Sequence, residues 1–276
     1  MNPHAEHPTG LTEPFTSLWR HRGLVWQMAR REVVGRYRGS LFGIAWSFFN
    51  PVLMLAVYTF VFSVVFKARW GAGGADSPSE FAVVLFVGMI VHGLFAEVVN
   101  RAPGMILSNA SYVKRVVFPL EILPWVAMFS ALFHAGVSLT VLLLAQLILK
   151  HQMAWTVVLF PLVVLPLTLV TLGLAWFLAA VGVYMRDIGQ TIGIMTTVLL
   201  FLAPVFYPVS ALPEPLKVWI YLNPLTFVIE DGRSVMLFGR PPNWTGWLLY
   251  LAVSTAVAWG GFWWFQKTRK GFADVV

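Results

Sequence analysis

The sequence predicts an all-α membrane protein. The expected parts are six transmembrane helices, an N-terminal amphipathic interface helix, a helical cytoplasmic connector, and a re-entrant external hairpin between spans five and six. Three observations predict it. Of 276 residues, 58% are hydrophobic and only 11% charged, against roughly 25% charged in an ordinary soluble domain, so too few charges remain to coat a water-facing surface. Stretches without a single charge recur at about the 20 residues a spanning helix needs. The 19 Lys and Arg divide unevenly between alternate connections.

The charge-free stretches are 39–66, 81–96, 122–149, 151–185, 188–213 and 241–266. They place spans at 41–66, 81–101, 120–149, 155–184, 189–210 and 243–266, the second borrowing length past Glu97. The first 38 residues are polar and Arg-rich without an apolar core and cleavage site, and are expected to be neither signal peptide nor span. Within them, 15–36 sets Phe15, Leu18, Trp19, Val25, Trp26, Ala29 and Val33 at helical spacing among arginines, the pattern of a helix lying on the membrane surface. Residues 105–118 mix polarities before Pro119 and read as the short connecting helix. Residues 213–242 hold two short apolar pieces divided by Asn223-Pro224, which suits a broken external hairpin. With this division, thirteen basic residues fall on the side of both termini and six on the other, so both termini are expected in the cytoplasm.

The formal charge of +7 sits in short segments between apolar runs, which fits anionic headgroups rather than nucleic acid. Without cysteine there is no disulfide framework or thiolate nucleophile. His92 and His134 stand alone in apolar helices without metal-ligand spacing, so no metal site is expected, and interhelical hydrogen bonding is their expected role. An ion-coupled transporter would need midplane ionisable groups in two related halves; only His134 is central and no second half is seen, so it stays the weaker alternative. An intramembrane lipid-modifying enzyme would need convergent acids and histidines, whereas Glu97, Glu121 and Asp187 lie in different loops without a motif. The nearest approach to a phosphate-binding loop, 261–268, has Gln266 where the second glycine belongs. If ATP drives this protein, a separate polypeptide binds it.

Arg30-Arg31-Glu32, the run from Arg36-Tyr37-Arg38-Gly39-Ser40 through Trp46-Ser47, Pro51 and an aromatic series to Phe66 resemble the opening of type-2 ABC transporter permeases that export polysaccharide. The resemblance continues through 109–123, Tyr184 to Ile188, Pro204 to Pro208 and Asn223-Pro224-Leu225, covering roughly 28–235 in one order. It implies a subunit of a bacterial inner-membrane exporter for O-antigen, capsule or teichoic acid. Such a subunit pairs with a second copy of itself, binds two copies of an ABC ATPase that hold ATP and Mg, and carries no cofactor itself. A type-2 permease for another cargo, drug or lipid, stays open beside it.

On this reading Arg30, Arg31, Arg36 and Arg38 crowd the place where an anionic pyrophosphate headgroup would enter, although anchoring to anionic lipid would also put arginine there. Trp46, Phe49, Tyr58 and Phe62, with Phe201, Phe206 and Tyr207, are candidate channel-lining aromatics, since ring faces stack on sugars without demanding one hydrogen-bond pattern. Asn109, Tyr112, Lys114 and Arg115 would dock the ATPase, and Arg186 and Asp187 either cap helix ends or touch it. Asn223, Pro224 and Phe227 would form the gate. Glu97 and Arg101 can pair at i, i+4 as a latch. Gly35, Gly39 and Gly43 leave one face bare for close packing, as do Gly189 and Gly193 at the start of span five.

Overall fold

The computed structural model describes residues 8–66, 78–113, 118–150 and 153–275, and among them there is no β-strand. The chain runs as α1 (Glu13–Arg20), α2 (Arg22–Tyr37), α3 (Trp46–Tyr58), α4 (Pro78–Arg101), α5 (Ala110–Val113), α6 (Leu123–Lys150), α7 (Phe160–Tyr184), α8 (Ile188–Leu202), α9 (Glu214–Leu222), α10 (Pro224–Leu237), α11 (Trp244–Thr268) and α12 (Phe272–Val275). Five helices of the described residues are long and apolar enough to cross a membrane. They are α3 with its π-helical continuation Thr59–Val65, then α4, α6, α7 and α11.

The centre is α7, which is apolar on every side and packs hardest on α11. Glycines allow this approach: a Cβ at Gly261 would fall on the backbone of Gly173, and one at Gly173 on that of Val257 and Ala258. Gly182 likewise meets the backbone of Pro103, so the turn after α4 sits directly on the end of α7. The buried helix α10 lies against α4 and α7. By contrast α3, at the periphery, leaves most of its side chains exposed.

The fifth expected span, 189–210, is helical only to Leu202. Its 15 residues reach about 22 Å at 1.5 Å each, short of the roughly 30 Å hydrocarbon core. The stop is local: Ala203 precedes Pro204 and is forced extended (φ −87°, ψ 152°). The single interface helix expected over 15–36 is two helices broken at His21. Val25, Ala29 and Val33 are its buried stripe, while Trp19 and Trp26 point outward with the arginines.

The connector expected as one helix over 105–118 contains, in its described part, a turn at Leu107–Asn109 and the four residues of α5. Lys114 and Arg115 lie outside the described residues. The packing expected at Gly35, Gly39 and Gly43 is not found among the described residues, where nothing lies within 4 Å of a Cβ at any of them. Gly39 and Gly43 instead hold φ of 84° and 52°, a left-handed backbone that turns α2 into α3.

Candidate functional site: a basic end and an aromatic path

At the Arg-rich end, α2 docks along α6 through Val25, Ala29 and Val33, which carries its C-terminal arginines over the ends of α4 and α6. Arg36 donates to Glu97 of α4 at 2.6 Å, and His134 of α6 lies 2.9 Å from the same carboxylate and 3.1 Å from Arg36. One turn on, Arg101 donates to Glu32 of α2 at 2.5 Å. The expected Glu97–Arg101 pair along one helix is therefore replaced by two ion pairs between helices. Each group gains a partner from α2 that the i, i+4 spacing could not reveal. Tyr37 packs its ring edge-on to His134, and burial pushes its hydroxyl above the usual range, with Arg36 partly opposing. It stays neutral at physiological pH.

Arg31 donates to the Tyr112 hydroxyl at 3.2 Å, and Tyr112 stacks on Phe118 at 4.3 Å, so the expected docking residue is tied to the surface helix. Asn109 donates to the Met105 carbonyl within its own turn. Arg30 and Arg38 are exposed and have no side-chain partner among the described residues. His92 reaches the Thr196 carbonyl of α8 at 3.0 Å, the interhelical bond expected of it, and Thr196 donates to Asn100 of α4. Nothing lies within 4 Å of a Cβ at Gly193, and at Gly189 only Pro103 approaches.

The expected channel aromatics fall into two groups. Trp46 and Phe49 cluster with Phe42 near the start of α3, with centroids 5.6 to 6.3 Å apart. At the other end Phe201, Phe206, Phe62 and Phe81 stack in series at 5.5, 6.2 and 5.3 Å, tying the end of α8 to α3 and α4. Phe201 remains 61% exposed, while Tyr58 is half-buried against the core. Tyr207 turns back to donate to the Phe201 carbonyl at 3.0 Å, satisfying a helix end that has lost its own donors.

The hairpin segment divides where Asn223 accepts from the Leu225 N–H and Pro224 takes the first helical position of α10. Phe227 packs on Tyr250 and Gly246 of α11, so it fastens α10 to that helix. The apolar residues Val218, Trp219 and Leu222 of α9 are exposed.

Two organising residues escaped the sequence reading. Arg233 of α10 is 2% exposed and donates to the carbonyls of Val84 (3.1 Å), Pro204 (2.6 Å) and Val205 (2.9 Å), with Glu230 at 3.1 Å. It ties the broken end of α8 and the start of α4 to α10. Glu121 accepts from Arg269 at 2.5 Å and from Ser17 at 3.2 Å, and its carbonyl takes the Trp176 indole N–H at 2.9 Å. It joins α1, α7 and the end of α11 beside the connector. Arg233 stands beside Glu230, Asp231 and Ser234 and falls among the six basic residues of the outer side, and Glu121 is a single acid between apolar residues; neither pattern announces its partners.

Residues 23–237 match the family described as ABC-2 type transporter. Over 94% of this chain and 97% of the relative's, the sequence is 29% identical to "O-antigen export system permease protein RfbA" of Myxococcus xanthus. A protein of the same name from Klebsiella pneumoniae is 23% identical over 90% of this chain and 93% of its own. Another from that organism is 22% identical over 77% and 79%.

Proposed function

The chain belongs to the ABC-2 type transporter family, and from that premise we propose that it forms the channel through which an ATP-driven exporter moves a lipid-linked, O-antigen-like polysaccharide out across the bacterial inner membrane. It is a multi-pass membrane protein and the transmembrane subunit of a type-2 ABC exporter, a family whose members work with an ABC ATPase. The observation that carries the cargo is that three relatives, aligned over most of both chains, bear the name of O-antigen export permeases.

In this reading two copies meet, each binding one of two ATPase subunits that hold ATP and Mg. The exposed faces of α3 and α8 line the passage between them. The sixth crossing is made by α8 with the turns that follow it over 203–211, and α9 with α10 forms the outer gate. Both termini lie in the cytoplasm, and the buried Arg233 drops out of the charge balance that decides this. Arg30 and Arg38 stand ready for a pyrophosphate headgroup, and Arg36 joins them when the anion displaces Glu97. The ATPase pushes on the connector around Asn109 to Arg115 and on Asp187.

The test is a strain lacking this subunit and its ATPase. It should accumulate lipid-linked glycan inside and regain surface glycan only when the chain and its ATPase are both supplied. Normal surface glycan in the deleted strain would refute the cargo, and a single-cysteine label at Gly74 reachable only from the cytoplasm would refute the orientation.

A further inference from the structure

A cavity of about 650 Å³ opens at the Arg-rich end, between α2, the turns at 102–109 and the starts of α6 and α8. Arg31, Arg101 and Arg186 line it against the one acid Glu32. Arg101 is paired with Glu32, and Arg31 uses one donor on Tyr112. Arg186 has no side-chain partner among the described residues, so the walls carry an excess of positive charge and unused guanidinium donors. Apolar Met28, Leu123 and Val126 complete the lining, Met28 one turn before Arg31 and Glu32 on α2 and the other two at the start of α6. Gly189 of α8 lines it too, so no side chain from that position fills the space.

A lining that mixes guanidinium donors with aliphatic side chains matches an amphiphile, and the volume falls within the range of small-molecule sites. The depth is right for a lipid: the cavity lies where α4 ends in Arg101, level with a surface helix whose Trp19 and Trp26 point outward. A soluble anion would have no use for the apolar lining, and an acidic protein segment would meet a recess between helices rather than a face.

We infer that this cavity is a binding site for a phosphate-bearing lipid headgroup, its phosphate between Arg31 and Arg186 and the start of its acyl chain along Leu123 and Val126. The site is separate from the exposed Arg30 and Arg38. It bridges the surface helix, the turn after α4 and the first turn of α8, so an occupant would brace the connector against the core. The inference holds whatever the cargo.

Native mass spectrometry of the purified full chain tests it, with phosphatidylglycerol, phosphatidylcholine, undecaprenyl pyrophosphate and inorganic pyrophosphate as separate probes. Wild type should retain an anionic lipid. R31Q/R186Q should retain it at least about tenfold more weakly, with R186K intermediate and lipid-free melting unchanged. Retention of phosphatidylglycerol would identify a resident phospholipid and retention of undecaprenyl pyrophosphate alone the carrier, and either upholds the site. Equal binding of inorganic pyrophosphate, or lipid retention indifferent to R31Q/R186Q, would overturn it. Loss of ATPase co-purification from that variant with lipid retention intact would overturn it as well, giving the cavity to the partner.

Discussion

Replacing Arg233 with Met isolates what the buried guanidinium contributes, because the apolar stem is kept and only the donors are lost. Three carbonyls, on Val84, Pro204 and Val205, then lose the guanidinium. A buried acceptor left without a partner costs about 1–3 kcal/mol, so the three lie between about 3 and 9. Relief from burying the charge offsets part of this, leaving about 4 kcal/mol. At roughly 2–4 °C per kcal/mol, the apparent melting temperature of the purified protein should fall by about 10 °C. Lys keeps a charge but not the planar fork, so R233K should recover about half. Because Pro204 and Val205 lie where α8 ends, R233M should also make a cysteine placed at Ala203, which is fully buried, accessible to a thiol reagent. A variant melting within about 2 °C of wild type, with that cysteine still protected, would refute the view that Arg233 holds the break.

Gly261→Ala should be among the most damaging small substitutions, because its Cβ meets the backbone of Gly173 and neither helix can yield cheaply; a loss of at least about 2 kcal/mol should appear as poor recovery of folded protein from detergent. Glu121→Ala strands the half-buried Arg269 and should cost about 3–5 kcal/mol, read by thermal melting, with Glu121→Gln milder because its oxygen still accepts. Phe201→Ala removes an exposed ring and should leave insertion and ATPase association intact while lowering surface glycan severalfold; unchanged export from F201A/Y58A would count against aromatic lining. Charge reversal at Lys114 and Arg115 should uncouple ATP hydrolysis from substrate, and unaltered coupling and assembly would remove the connector from the docking surface.

The helical class and the positions of the long apolar elements could be read from the sequence because lipid imposes one-dimensional rules, namely span length and charge exclusion. The break at Asn223-Pro224 was equally legible, since capping and proline act through neighbours in the chain. What could not be read was partnership across helices. Glu97 and His134 stand 37 residues apart and Arg36 and Glu97 61 apart, so no local spacing announces their meeting. The proline rule could have shortened span five at Ala203, but hydropathy continues through Val205 and Phe206 and hides the stop. The glycine contact of Gly173 with Gly261 was missed for the opposite reason. The regular Gly35, Gly39, Gly43 series drew attention, while Gly173 and Gly261, in separate spans and outside any such series, carried the packing.

That contact also restricts how cargo can depart. A lipid tail leaving an enclosed passage needs a seam that opens sideways into the bilayer, and a seam must be wide enough for side chains to swing aside. Between α7 and α11 backbone rests on backbone at Gly173 and Gly261, and one turn on the buried Trp176 packs edge-on against Phe262. Those two helices form a closed wall. If the cargo is the lipid-linked glycan proposed above, the slit for its hydrocarbon lies elsewhere, along the loosely embraced α3 and the truncated end of α8.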